Sequence, residues 1–294
     1  MLPVLLNLLV AIAIGVLSAM QVRSLSSRND RLFFSSTNLR LSEGYLETFQ
    51  ISVNEGPDGQ PDDLGSPDIP FIPRRDDRDR EPGDRTSPPI FGGDACENEG
   101  ELELAALVPG EENRAFVSRT SRSHPTFFFY VPYEIESSLV AEFSLLDENG
   151  DRVYRQQYSL QGTPGIVRIA YPETAPALEV DRDYYWNFSV ICNPDDRADD
   201  RYVSGTLQRV TANKIPSPNA TPEERAILYA ADGLWYDTLS TIVEEIYPED
   251  PQRARALLDR LFASDAVNLA GYEGEPIVPC CSAIEEETSS SQPE

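Results

Sequence analysis

The sequence predicts a mainly β protein with a helical end. Three observations carry this. Short apolar runs separated by turn residues recur at roughly ten-residue spacing between Glu101 and Val210. Two cap-and-proline pairs, Thr221-Pro222 and Asp250-Pro251, then open helical patterns. Four cysteines, Cys96, Cys192, Cys280 and Cys281, bracket the whole run behind an apolar leader.

Met1 to Met20 is an apolar stretch closed by the small residues Gly15, Ser18 and Ala19, as in a signal peptide. No basic residue precedes it and Arg23, Arg28 and Arg31 follow, so the alternative is an uncleaved N-terminal membrane anchor. Either reading places the cysteines in an oxidising compartment, periplasmic or secreted. From Gly56 to Gly93 the chain is rich in Pro, Gly, Asp and Arg, and Arg74 to Arg85 interleaves five Arg with five acids. Such a stretch cannot bury enough apolar surface to offset its chain entropy, which predicts a solvated, disordered or extended linker. The expected organisation is a leader over 1–20, a largely disordered linker over 21–90, a β domain over 91–212, a helical and Cys-Cys closure over 213–284, and a frayed acidic tail over 285–294. Leu32 to Phe34 and Leu46 to Val53 are left unassigned.

The predicted strands are Glu101–Val108, Arg114–Thr120, Thr126–Pro132, Leu139–Leu146, Arg152–Leu160, Gly165–Tyr171, Tyr184–Cys192 and Tyr202–Val210. In the fourth, Leu139, Ala141, Phe143 and Leu145 fall on one face and Val140, Glu142 and Ser144 on the other, with Glu142 marking the wet side. Asp147 to Asp151 (DENGD) is a hairpin turn, with Asn149-Gly150 expected to supply positive φ. Leu178 followed by Tyr184 at the head of an aromatic strand resembles the tyrosine corner of an immunoglobulin-like or fibronectin-like antiparallel β-sandwich. Trp186, Phe188 and Val190 then share the core face.

Thr221-Pro222-Glu223-Glu224 is a capping box with Pro at the first helical position, and one helix is expected from there to Ile246. Gly233 inside it costs about 1 kcal/mol relative to Ala, so it marks either a kink or the close approach of Trp235 or another aromatic. A second helix after Asp250-Pro251 carries the stripe Ala254, Leu257, Leu258, Leu261 and Phe262. A helical hairpin cannot bury both stripes alone, so it must dock on the sandwich. Because adjacent cysteines close only an awkward ring, Cys280 and Cys281 are each expected to bond one of Cys96 and Cys192.

Composition excludes several functions. A net charge of −26 opposes binding to nucleic acid or an anionic membrane surface, and Lys214 is the single lysine, so no Walker-type lysine exists. His124 is the single histidine and sits before Pro125, where a turn residue bonded to backbone is expected rather than a Ser–His or Cys–His nucleophile. Asp147, Asn149 and Asp151 imitate a calcium loop, but Arg152 occupies the glycine position. Asn193 to Asp200 (NPDDRADD) is the densest acidic loop, expected to be solvated, with a weak cation as the sharper alternative. Gly162 to Gly165 (GTPG) lacks the lysine of a phosphate loop and reads as a turn. No catalytic, cofactor-binding or metal-binding residue is assigned; the assigned residues are the four disulfide cysteines.

From about Pro88 to Cys281 the chain resembles the cyanobacterial family known as domain of unknown function 928. The resemblance rests on Gly92-Gly93 before Cys96, Leu104–Pro109, His124–Tyr133, Gly162–Pro172, Tyr184-Tyr185-Trp186 running into Cys192, Val203-Ser204-Gly205, Tyr229–Asp237 and Cys280-Cys281. It implies a leader, a strand-rich core and a short helical end, and no activity. The expected function is therefore a non-enzymatic binding or interaction module of the cell envelope. Its partner would be an envelope protein or a polysaccharide, met through loops or an aromatic surface including Tyr185, Tyr202 or Tyr236. The alternatives are a carboxylate-dependent glycan hydrolase and a structural part of a larger envelope assembly.

Overall fold

Alternation along the strands decides the architecture. The structure is a computed structural model that describes residues 69–78, 82–87, 96, 101–133 and 139–284. The leader, Leu32–Phe34, Leu46–Val53, most of 21–90 and the acidic tail lie outside the described residues. The strands are β1 (Gly83–Asp84), β2 (Ala105–Ala106), β3 (Gly110–Glu111), β4 (Arg114–Ala115), β5 (Ser118–Thr120), β6 (Thr126–Val131), β7 (Val140–Asp147), β8 (Arg152–Ser159), β9 (Gly165–Ala170), β10 (Asp183–Ile191), β11 (Arg201–Arg209) and β12 (Ser282–Ala283). They form a six-stranded sheet in the order β12-β8-β7-β10-β11-β5, a three-stranded sheet β2-β6-β9 and a small sheet β1-β4-β3. Every pairing within these sheets is antiparallel except β11 with β5.

The two larger sheets pack face to face through aromatic rings. Phe129 of β6 stacks on Phe188 of β10 at 4.1 Å, and Phe127 meets Phe143 of β7 at 4.6 Å. Trp186 lies against Phe129, and across the ladder it faces Gly205, where a Cβ would sit 2.3 Å from the indole. Strand β7 alternates buried and half-buried residues, as a strand with one wet face must, whereas β6 (TFFFYV) is buried at every position. The outward side of β6 meets the helical end: Thr126 donates to Glu244 and Tyr130 packs on Tyr272. At the foot of β10 the Tyr184 hydroxyl accepts the Glu179 N–H at 2.8 Å beside buried Leu178.

The helices are α1 (Pro222–Ala231), α2 (Trp235–Ser240), continued by a π-helical turn over Thr241–Ile246, and α3 (Pro251–Ala263). The Thr221–Glu224 capping box forms as read, and the stripe Ala254, Leu257, Leu258, Leu261 and Phe262 is buried on α3. The single helix expected to Ile246 is instead broken. Gly233 takes φ 74°, and its N–H and that of Leu234 bond back to Ala230 and Tyr229, a left-handed helix stop. Close approach accompanies the break, but it comes from the Ile72 carbonyl, 2.9 Å from where a Cβ would lie, and not from an aromatic. Beyond the break, α2 is sewn to the β domain: the Trp235 indole donates to Leu107 O, and buried Asp237 accepts from Thr120 Oγ1, Ser121 N and Ser121 Oγ.

Three other expectations are corrected. Within the stretch read as solvated linker, residues 69–78 and 82–87 pack on the core. Ile69 and Phe71 are buried, Phe71 meets Trp235 edge-on at 5.0 Å, and Ile72 N donates to Ala230 O. The charges there are answered by a buried partner, because Arg119 reaches Asp76 at 2.6 Å and Asp77 at 2.7 Å. In the β7–β8 hairpin only Gly150 has positive φ, at 83°, and Asn149 does not. Gly150 N donates to Asp147 O, so the turn ends on the left-handed glycine, and the ladder shifts register farther along, between Leu145 and Leu146.

The disulfides join Cys96 to Cys192, with Cα atoms 5.3 Å apart, and Cys280 to Cys281, neighbours across a cis peptide. The expected cross-pairing fails because hydrogen bonds, not cysteines, return the chain end. Val278 N donates to Ile166 O and Ile284 N to Gln157 O, pinning both flanks of Cys280-Cys281 to β9 and β8.

Two outcomes follow for stability. Gly150→Ala meets nothing within 4 Å and carries only the left-handed penalty of about 1 kcal/mol, whereas Gly233→Ala adds the collision with Ile72 O and is expected to cost about 2–3 kcal/mol. Denaturant unfolding of the two variants measures the difference; equal losses would mean that the 69–78 segment does not rest on Gly233. Replacing Cys96 and Cys192 by Ala opens a loop with a sequence separation of 96 and is expected to cost about 4–5 kcal/mol in the chain-entropy model. The same change at Cys280 and Cys281 constrains almost no chain and is expected to cost about 1 kcal/mol.

Candidate functional site

Because the helices and Tyr272 cover the outward side of β6, the face left without a described covering element is the outer face of the six-stranded sheet. Its side chains follow from register. Gln157 of β8, Glu142 of β7, Ser189 of β10 and Tyr202 of β11 stand opposite one another in one row. Arg155, Ser144, Asn187 and Ser204 form the next row, and Arg152, Leu146, Tyr185 and Thr206 the third. Tyr185 and Tyr202 are 39% and 37% exposed, the large hydrophobic side chains that this face presents to solvent. They lie on neighbouring strands two rows apart, about 14 Å by strand geometry. Segment 82–87 runs along the edge of β11, where Asp84 N donates to Ser204 Oγ and Tyr202 N to Ser87 Oγ, so that this edge is closed to strand addition.

The charges on this face cancel. Glu142 accepts from Arg155 at 2.6 Å and Gln157 at 3.1 Å, and Arg197 stands 3.8 Å away. Arg197 also pairs with Asp200 at 2.6 Å. Burial pulls the Glu142 carboxyl upward, but the hydrogen bonds from Arg155 and Gln157 and the charges of Arg155 and Arg197 outweigh it and leave it below its ordinary value. At Asp200 desolvation wins over Arg197 and holds the carboxyl above its ordinary value. With Arg152 opposite Leu146 and Asp183 two residues before Tyr185, three guanidiniums on this face stand against three carboxylates. Within the face, Ser189 donates to Asn187 Oδ1 at 2.7 Å and fixes the amide.

The structure places the other candidates as follows. Tyr236, read with Tyr185 and Tyr202 as a possible surface aromatic, is 1% exposed; its ring meets Phe127 at 5.1 Å, and burial pushes its hydroxyl far above the ordinary tyrosine value. His124 stacks on Tyr171, donates Nε2–H to Ala175 O and places Nδ1 3.1 Å from Ser123 Oγ. With one nitrogen held by a carbonyl and no carboxylate orienting the ring, it latches the loop before Leu178. In Asn193–Asp200 two of the four carboxylates are committed locally, Asp196 capping Ala198 N and Asp200 pairing with Arg197. Asp147 is absorbed by its own turn, accepting from Asn149 N and Asp151 N. Gly162–Gly165 is a turn in which Thr163 Oγ1 donates to Tyr133 O. Among the described residues, no cluster of three or more His, Cys, Asp or Glu is placed to hold a metal ion. An open groove lined by Pro216, Ser217, Asn219, Ala220, Glu224 and Leu228 contains one carboxylate, which the Thr221 cap already uses.

The row structure of the face was not read from sequence beyond Glu142, although period two along β10 and β11 carries the signal. For the ion network, removing Arg197 takes a cation from both acids. Carboxyl titration by NMR is expected to find Glu142 below and Asp200 above their ordinary values, and Arg197→Ala is expected to raise both. The stability that Glu142 contributes is present above its unfolded pKa and lost as pH falls through its lowered folded value. Asp200 acts oppositely, favouring the fold as it takes up a proton.

No curated protein and no solved structure matches the chain. A family model does, over residues 80–276, and the chain belongs to that family, Domain of Unknown Function (DUF928).

Proposed function

We propose that this chain is an exported, non-enzymatic binding module of the cell envelope that presents the outer face of its six-stranded sheet to an envelope protein or a polysaccharide. The observation that carries the reading is the asymmetry of cover. Helices close the outward side of β6, while the opposite face keeps two exposed tyrosines among amide and hydroxyl side chains. The stacked sheets with the Tyr184 latch support an immunoglobulin-like or fibronectin-like sandwich as the scaffold. A periplasmic or secreted location accords with two disulfides, and no helix among the described residues is long and apolar enough to cross a membrane. Residues 1–20 would serve as signal peptide or as anchor. The hydrolase alternative draws less support: Glu142 and Asp200, acids from different elements, approach one another only through Arg197, on an open face rather than in a cleft.

The test is capture from an envelope extract of the native cell with the full chain as bait, beside Tyr185→Ala/Tyr202→Ala. The two side chains are 39% and 37% exposed on strands, so the double variant is expected to stay folded with a loss of about 1–2 kcal/mol, checked by denaturant unfolding. A component retained by the wild type and lost from the variant is the expected result. Equal retention by both would move the site off this face, and a blank for both would favour a structural part of a larger assembly.

A further inference from the structure

Charge narrows the partner. The chain carries −26, yet the face holding Tyr185 and Tyr202 has no net charge: Arg155 and Arg197 are spent on Glu142 and Asp200, and Arg152, opposite Leu146, is offset by Asp183, two residues before Tyr185 on β10. A polyanion finds no surplus cation there and is repelled by the rest of the chain. A polycation finds no surplus acid on the face itself. The face also lacks what a protein partner needs at an interface centre, a contiguous apolar cluster. The other large exposed hydrophobics, Ile72, Val180 and Ile215, lie in segments outside the sheet.

We infer that the outer face of the six-stranded sheet binds a neutral glycan chain, with Tyr185 and Tyr202 as two stacking platforms and Asn187 and Ser189 as the polar groups between them. This rests on the binding-module reading and names its ligand class. A sugar ring has an apolar C–H face and a rim of hydroxyls. A tyrosine offers a flat apolar ring with a polar tip, and serine and asparagine offer donors and acceptors together. The backbone positions of the two tyrosines, on adjacent strands two rows apart, are about 14 Å from one another. That separation calls for an extended chain of several sugars rather than a single one. Rigid strands hold both rings in place before the ligand arrives, so little side-chain entropy is lost on binding.

The experiment is affinity electrophoresis of the full chain through gels containing hydroxyethyl cellulose, glucomannan, xylan, galactan or dextran, with alginate as the anionic control. Retardation in at least one neutral gel and none in alginate is expected. Tyr185→Ala and Tyr202→Ala should each weaken it at least tenfold, while Tyr229→Phe, on α1 away from the face, leaves it unchanged. Absence of retardation in every neutral gel, or equal retardation of the tyrosine variants, overturns the inference. If a protein is captured from the envelope extract and lost from the same variants while the gels show nothing, the binding face stands and the glycan falls. If both experiments are blank, both fall.

Discussion

The stack of Phe129 on Phe188, flanked by Phe127, Phe143 and Trp186, is the contact on which the remaining architecture depends. It uses the odd-numbered residues of β6 and so turns Thr126, Phe128 and Tyr130 outward. That second side is too apolar to leave in water, and the helical end exists against it. The same stack uses the even-numbered residues of β10, which turns Tyr185, Asn187 and Ser189 outward. These are polar enough to stay wet. One choice of register therefore fixes both where the helices dock and which face remains open, and a one-residue slip of β10 would exchange Trp186 and Phe188 for Tyr185 and Asn187.

Much of this was legible in the residues. The strands were readable because alternation and turn residues are local, and the expected Arg152–Leu160 and Gly165–Tyr171 differ from β8 and β9 by one residue each. The Thr221 cap and the α3 stripe were equally local. The break at Gly233 is half legible: the glycine stands out in the sequence, but whether it ends a helix depends on Ile72, a residue distant in sequence that supplies the backbone against it. The cysteine pairing was not legible at all. Sequence gives no distance between Cys96 and the end of β10, nor does it reveal that β12 would reach β8 by backbone hydrogen bonds and remove the need for a long-range bridge.

The docking of residues 69–78 shows how composition misleads. Averaged over Gly56 to Gly93, apolar surface is too sparse to fold, and that reasoning holds for an isolated segment. It fails here because two residues, Ile69 and Phe71, find a preformed surface on Trp235, and one buried guanidinium, Arg119, answers two neighbouring carboxylates. Burial raises the Asp77 carboxyl against the pull of Arg119, which identifies the pair as a fastening with a large desolvation cost. Such a pair is worth keeping only where both partners are already held, and Val117 N bonded to Asp77 O provides that.

The open face shows the same economy of charge from the other side. A protein this acidic would be expected to place its few arginines where they relieve repulsion, and Arg155 and Arg197 do so for Glu142 and Asp200. In doing so they lose the capacity to act as anion receptors, because their donors are turned toward carboxylates of the same molecule. On the proposed reading, recognition on this face falls chiefly to groups without formal charge, the two tyrosine rings and the serine and asparagine side chains between them, with exposed Arg152 at the margin. A surface of that kind, if it binds as proposed, would discriminate by shape and hydroxyl pattern, with an affinity that changes little with ionic strength.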